Sequence, residues 1–359
     1  MIQEHDDQES HLPYRREDTV VEETWRLTTW IHEELGYCIY QIQVPVPNSL
    51  RWVNAYAILS QGRGFTIIDP GMRTSEAEQV WQQVYTHLQI QEHGMEQIIL
   101  THYHPDHLGL AGWMQEQYAC PVYISPIGWD MAQRMWSEER SMSTEMCELF
   151  GMHGMPTESL EQIYDHMESF VAQVSPLPKV TLLHHGEQVS FLDREWLVLE
   201  THGHAPGQLS FWNEELSSLF VGDHVLPRIT PNVSFMLQSD PEPLQSFLLG
   251  LKQLYELPVT FAFPGHRYPF AHFHARIDYL LDHHEERLTE FYQKLTTPIT
   301  AYELCTLTFG APPSLSIHQF RFAMGETLAH MVELKRRGWA KTIERDNMVY
   351  WTSIKELKS

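Results

Sequence analysis

Residues 101–107 read THYHPDH and set three histidines and one aspartate within reach of a common ligand. His102 and His104 alternate, so in an extended segment both point to one side, whereas Asp106 and His107 fall on the start of a helix that Pro105 favours. One loop can therefore offer two imidazoles to one cation, and a carboxylate with an imidazole to another. Zinc, of borderline softness, takes this mixture of nitrogen and oxygen donors. A lone His-x-His on a strand reads as two surface residues; the full HxHxDH does not.

Three later stretches supply what one loop lacks. THGHAPG, FVGDHVL and FPGHRYP place His204, Asp223 and His266 in glycine-bounded turns that follow apolar strands. Glycine there lets the backbone approach a crowded site.

In chain order THYHPDH, GHAPG, GD and PGH, with IDPG upstream, resemble the motif set of the metallo-β-lactamase-fold hydrolase superfamily, in its glyoxalase II-like form, from about residue 36 to about residue 295. The resemblance implies that His102, His104 and His204 hold one metal, that Asp106, His107 and His266 hold a second, and that Asp223 bridges them. It also implies a carboxylate behind the ligands at Asp69, a residue that reads equally well as a turn-initiating aspartate before Pro-Gly. One departure is visible. Many relatives continue the third motif as GHTPGH, and here Gln208 stands at the last position, which is not a ligand in the family pattern. His184, His185, His283 and His284 lie outside the motifs and read as solvated or helix-surface residues. His202 and His224 flank ligand positions, close enough to line a pocket, yet read first as structural.

These side chains need elements to position them. Apolar and polar residues alternate around turn formers over residues 36–71, as in YCIYQIQVPVP and GFTIIDPG, which predicts strands. Residues 76–87 read as a helix, and QIILT is a strand whose C-terminal end carries the histidine loop, where α/β folds place their chemistry. Residues 127–174 read as a helical insertion carrying Met131, Met135, Met142, Met146, Met152, Met155 and Met167. Flexible thioethers suit either an adaptable lid over the metals or the insertion's own small core. Strands return with EQVSFL, EWLVLET, QLSFW and SLFVGD; a helix over 243–257, the strand VTFAF and one long amphipathic helix follow.

A boundary is expected near 296–298. Beyond it come a helix in ITAYELCTLTF, a longer one striped by Phe320, Met324, Leu328, Met331 and Leu334, and two short strands around a turn at Asp346 and Asn347. Those are the parts of a winged helix, and the segment resembles the winged-helix module appended to some hydrolases of the superfamily, including members acting on RNA. The expected fold is thus α+β: a four-layer αββα sandwich over 25–295 with the insertion at about 127–174, a winged-helix-like domain over 296–359, and a flexible acidic tail over 1–24.

The chain carries a formal net charge of −23, which repels polyanions and argues against a general nucleic-acid binder. Lys335, Arg336 and Arg337 form the nearest approach to a basic cluster, but they end a helix, where cations meet the dipole favourably. The appended domain is therefore expected to serve packing or homodimer contacts. No apolar run suits a membrane span, the N-terminus lacks a secretory pattern, and four scattered cysteines form no CxxC pair, all consistent with a cytoplasmic protein.

The chemistry expected is hydrolysis by a hydroxide bridging two divalent ions, zinc first, with iron or manganese accepted by the same ligands. Asp106 would orient that hydroxide as well as bind metal. No GxSxG suggests a serine nucleophile. The expected substrate is a small or lipophilic thioester, ester or lactone. The metals alone would serve a phosphodiesterase or endoribonuclease equally, and a third reading makes the chain a winged-helix DNA-binding regulator with a ligand-sensing metal domain.

Overall fold

The computed structural model describes residues 12–21, 25–47 and 49–354. Eight strands lie in sequence order across a first sheet: β1 (Tyr14–Val21), β2 (Arg26–His32), β3 (Cys38–Pro45), β4 (Trp52–Ser60), β5 (Gly64–Ile68), β6 (Met95–Ile99), β7 (Val122–Ile124) and β8 (Val180–Leu182). β1 to β5 are antiparallel. The helices α1 (Ser75–His87) and α2 (Ile90–His93) then carry the chain back, α3 (Pro105–Leu108) with α4 (Ala111–Tyr118) does so again, and a helical insertion does so between β7 and β8, so that β5 to β8 run parallel. A second sheet holds β9 (Gln188–Phe191), β10 (Arg194–Thr201), β11 (Gln208–Asn213), β12 (Ser218–Gly222) and β13 (Phe261–Pro264), of which only the last pair is parallel.

Away from their edge strands both sheets are buried on both faces, and the period of two divides their side chains between two cores. On β4, Tyr56 and Ile58 enter the core between the sheets while Val53, Ala55 and Ala57 face outward under helices; on β12, Phe220 points inward and Leu219 and Val221 outward. The inner core is aromatic, with Trp30, Phe191, Trp196, Phe211, Phe261 and Phe263 among its members, each contributing roughly 1.5–3 kcal/mol by burial. Helix α1 covers the first sheet through Val80, Trp81 and Val84. The chain is the expected α+β sandwich of four layers.

The insertion comprises α5 (Pro126–Trp136), α6 (Met142–Met152), α7 (Thr157–Glu168) and a 3-10 turn at Val171–Val174. Its methionines divide: Met131, Met142, Met146 and Met155 are buried in the core that continues under the outer helices, Met152 is exposed, and Met135 and Met167, buried in the same core, also line the cavity described below. After β12 a long loop leads into α8 (Pro243–Tyr255), and after β13 comes α9 (Phe273–Lys294). The C-terminal domain consists of β14 (Ile299–Thr300), α10 (Ala301–Phe309), α11 (Ile317–Arg336) and the hairpin β15 (Ala340–Arg345) and β16 (Met348–Ser353), with sheet order β14-β16-β15. Capping boxes start both helices, Thr300 with Glu303 and Ser316 with Gln319. Asp346 and Asn347 adopt φ of 50° and 60°, as a two-residue hairpin turn requires. The stripe from Phe320 to Leu334 is buried, with α11 packed on α7, α8 and α9.

Two expectations are corrected. The flexible tail assigned to residues 1–24 cannot include 14–21, because β1 pairs along its length with β2 and Tyr14 is buried against Phe261 and Phe263. The charges of Arg15, Arg16, Glu17 and Asp18, which made the segment read as solvated, belong to an exposed edge strand, and such strands tolerate them. Residues 1–11 and 22–24 lie outside the described part. Likewise His284 is not on the helix surface: it is buried, and its Nδ1 lies 3.1 Å from Nε2 of His330. Among the described residues no helix is long and apolar enough to cross a membrane.

Candidate metal centre

The site forms where the C-terminal ends of strands from both sheets meet. Ile68 pairs with Ile99, which sets Asp69 beside the loop that starts at Leu100; on the other sheet Gly222 pairs with Pro264, which sets Asp223 beside His266. Backbone bonds across the seam lock the two ends together, from Leu209 N to Thr101 O at 2.7 Å and from Asn54 N to Gly265 O at 2.7 Å. The Tyr56 hydroxyl and the Asn54 amide both donate to Pro264 O. Gly265 is required by proximity, since a Cβ there would stand 2.2 Å from Asp223 Oδ1 and 2.7 Å from His107 Cε1.

All seven residues expected as ligands converge. The donor atoms of His102, His104 and His204 lie within 4.8 Å of one another, and so do those of Asp106, His107 and His266. Asp223 stands between the two groups: its Oδ2 is 3.7 Å from His204 Nε2, 3.5 Å from His107 Nε2 and 3.3 Å from His266 Nε2. Asp106 Oδ2 lies 3.4 Å from His266 Nε2.

The surrounding protein fixes which ring nitrogen faces inward. His204 Nδ1 donates to Asn232 O at 2.8 Å and His266 Nδ1 to Trp52 O at 3.0 Å, leaving each Nε2 for the centre. Asp69 does the same for two more rings. Its carboxylate accepts from Thr101 N at 2.8 Å, from the Thr101 hydroxyl at 2.6 Å and from His107 Nδ1 at 2.8 Å; the Thr101 oxygen in turn accepts from His102 Nδ1 at 2.9 Å. Asp69 also groups geometrically with His102 and His107, but with its oxygens so engaged it orients ligands instead of joining them. Its left-handed backbone, φ 54°, is one an aspartate tolerates.

The electrostatics suit positive charge at the centre. Burial and neighbouring imidazoles hold His102 and His104 well below the ordinary histidine value, and burial lowers His204. Burial would lower His107 and His266 as well, but Asp223 and the other carboxylates outweigh it, raising His107 well above its usual value and His266 to about 10. Against burial, His266 and His107 keep Asp223 ionised, and the same pair holds Asp106 down. Inward-facing atoms His107 Nε2, His204 Nε2 and Asp223 Oδ1 are buried without a hydrogen-bond partner. Five imidazoles and two carboxylates with unanswered inward donors fit one or two divalent cations of borderline hardness.

A cavity of about 440 Å³ opens above these groups. Met72, Met135, Trp136, Met167 and Phe170 line it, the loop after β12 contributes Leu226 and Ile229, and α11 contributes His318, Arg321 and Phe322. Met135 and Met167 belong to the insertion read as a candidate lid; no motif marked the other wall residues, and the C-terminal domain was read as a packing module instead of a part of the site. Of the histidines beside the motifs, His224 is buried against Phe247 and His202 pairs with Glu200; neither lines the cavity. Gln208 is buried, donates to Val221 O and touches no ligand.

Comparison with known proteins agrees with the geometry. Residues 51–266 match the metallo-beta-lactamase superfamily model, and the chain belongs to that superfamily. Residues 288–353 match the model of the metallo-beta-lactamase-like C-terminal domain. The chain is 25% identical over 327 residues to "Probable metallo-hydrolase YqjP" of Bacillus subtilis, covering 88% of this chain and 98% of that one. Among solved structures, the metallo-beta-lactamase family protein TTHA1429 of Thermus thermophilus superposes with a TM-score of 0.76 at 29% identity, over 88% of this chain and 98% of the other. A beta-lactamase domain protein of Burkholderia ambifaria gives 0.78 at 27% identity, over 88% and 92%.

Proposed function

We propose that the chain is a metal-dependent hydrolase of small carboxylic esters, thioesters or lactones with an apolar body. The observation that carries this reading is the cavity of about 440 Å³ in which the ligand cluster lies beside thioether, aromatic and aliphatic side chains. The relative named as a metallo-hydrolase supports the reaction class.

His102, His104 and His204 would hold one cation, Asp106, His107 and His266 a second, with Asp223 shared between them. When bound, such ions supply Lewis-acid polarisation of the substrate oxygen and make water available as a nucleophile near neutral pH. The chain's own residues do the rest. Asp106, ionised and facing the cavity, accepts a hydrogen bond from the attacking water and aims it at the carbonyl carbon. Asp69 keeps His102 and His107 in one tautomer through the cycle. Trp136, tied by its Nε1 to Tyr103 O, and Met167 press the substrate body against the ligand cluster and exclude bulk water.

Helix α11 argues against a polynucleotide substrate and against a DNA regulator. It precedes the hairpin, the place from which a winged helix would read a groove, yet its apolar face is buried and its first turns wall the cavity. Two of the three basic residues at its end are paired with acids, Arg336 with Glu333 at 2.7 Å and Arg337 with Glu285 at 2.7 Å, while Lys335 donates to the Thr342 hydroxyl. Metal analysis combined with a panel of p-nitrophenyl esters, aryl thioesters, lactones and single-stranded RNA tests the proposal. Turnover of an acyl substrate, lost on chelation and restored by Zn²⁺, is expected; RNA cleavage by a metal-loaded chain that turns over no acyl substrate would refute it.

A further inference from the structure

The cavity wall carries a cation that the described protein leaves unanswered. Arg321 lines the cavity from the early turns of α11, and its Nε is buried with no hydrogen-bond partner. Its Cζ stands 4.1 Å from the centroid of the Phe322 ring, so stacking on the aromatic face sets the guanidinium while an edge stays free to donate. Other arginines around the cavity and the helix are engaged: Arg134 meets Glu145 at 2.6 Å, and Arg287 approaches Glu326, the carboxylate nearest along the chain to Arg321, at 4.0 Å. Among the described residues Arg321 makes no ion pair. Burial lowers its pKa to about 10, against the pull of Tyr103 and Asp106, which leaves the side chain charged at neutral pH.

A buried cation without a partner is costly to keep unless something occupies it in the working state. Glu326 also lines the cavity but lies beside Arg287 and makes no ion pair with Arg321, and the carboxylates of the ligand cluster are committed to the metal-facing group. A guanidinium edge matches the two oxygens of a carboxylate. Its single charge matches a monoanion better than a phosphate monoester, because the neighbouring His318 is kept neutral by burial and Arg321.

We propose that Arg321 is the specificity-determining residue for an acyl substrate that ends in a carboxylate, binding that group with its free guanidinium edge while the apolar body spans the cavity and the scissile carbonyl lies at the ligand cluster. The inference rests on the ester, thioester or lactone reading for the position of the carbonyl, and on the wall alone for the carboxylate.

The test uses the zinc-loaded full chain and two matched substrates, the mono-thiophenyl ester of adipic acid and its ω-carboxamide isostere. The wild type is expected to prefer the carboxylate by about 30-fold in kcat/KM, mainly through KM, as a charge-assisted bidentate contact affords. Arg321→Met should bring the ratio close to unity while turning over the carboxamide within about threefold of wild type, and Arg321→Lys should keep an intermediate preference. An unchanged ratio in Arg321→Met overturns the proposal. Calorimetric binding of 6-phenylhexanoate against 6-phenylhexanamide supplies a readout independent of turnover. If neither thioester is cleaved, the acyl-hydrolase reading fails while binding still decides: a carboxylate preference lost in Arg321→Met supports the subsite, and one that persists there, as direct capture by the metals would give, overturns it. Should Arg321→Met not fold, Arg321→Lys decides both measurements, and a full wild-type preference in it counts against the proposal.

Discussion

Replacing Asp69 by Asn changes one oxygen to an amide nitrogen, leaves shape almost untouched, and lies one layer behind the metal-facing atoms. The carboxylate accepts three hydrogen bonds, from Thr101 N, the Thr101 hydroxyl and His107 Nδ1. An asparagine can keep its oxygen toward Thr101 N, but its nitrogen then occupies the position of Oδ2 and can only donate. The Thr101 hydroxyl can rotate to accept. His107 cannot turn away, because its ring is fully buried, so it must move its proton from Nδ1 to Nε2. Nε2 is the atom that faces Asp223 at 3.5 Å, and protonating it removes one donor from the Asp106, His107 and His266 group.

Loss of such an orienting partner typically costs 10- to 100-fold in metal affinity, about 1.4–2.8 kcal/mol. The loss should fall mainly on one metal equivalent, because the first group feels Asp69 only through Thr101 and His102. Competition against a chromophoric chelator reads the two equivalents separately, and thermal melting of the same samples checks that the fold survives. Two equivalents bound by Asp69→Asn with wild-type affinity would refute the role given to Asp69, and equal weakening of both would refute its asymmetry.

Exhaustive chelation should abolish hydrolysis and lower the melting temperature by at least about 3 °C relative to protein held at 100-fold excess over Kd, a linkage of about 2.7 kcal/mol; an unshifted melting curve would mean that the seven residues do not bind the ion. Gly265→Ala should weaken metal binding by more than about 100-fold, because the new methyl meets Asp223 Oδ1 at 2.2 Å and the backbone is pinned by bonds to Gly222 O and from Asn54 N. Titration against the chelator checks this, and wild-type affinity would contradict the close approach. Acidification should loosen the C-terminal domain. His153, which accepts a hydrogen bond from Trp351 Nε1, and His330, beside His284, are both held by burial to about 4, so the fold favours their neutral forms. The unfolded chain takes up those protons near pH 6.5; stability is therefore full above that value and lost as pH falls from about 6.5 to 4, by up to about 3 kcal/mol per group. Amide exchange in α10 and α11 that quickens at pH 5 before the sheets do is the expected signature, and uniform protection at both pH values would exclude it.

The ligand set was legible because metal chemistry restricts residue type. Only a few side chains coordinate borderline cations, and the turns that present them need glycine where backbones close in, so THYHPDH, GHAPG, GD and PGH carry both identity and place. Strands such as β4 and β12 announced themselves by short β-prone runs set between turn formers. The N-terminal strand did not, because an edge strand with Arg15 to Asp18 facing water has the composition of a tail, and the apolar residues that attach it, Leu12, Tyr14 and Val20, are few and spread apart. His284 was misplaced for a related reason: a histidine on a charged helix reads as solvated until a second buried histidine, His330, is brought against it from 46 residues away.

The cavity wall was illegible on more general grounds. A wall residue needs only suitable size and polarity, which core residues also have, so Met135 and Met167 cannot be told in sequence from Met131 and Met146 although only the first two line the cavity. Helix α11 makes the point most sharply. Its stripe from Phe320 to Leu334 was read as a packing face, which it is, but His318, Arg321 and Phe322 lie beside that stripe on a different side of the helix. A helix whose apolar face anchors one domain can thus present a second face to the active site of another, and docking of the C-terminal domain then fixes the position of Arg321 relative to the ligand cluster. Substrate preference and domain docking become one physical quantity, since any shift of α11 that relieves its packing also moves the cation that faces the cavity.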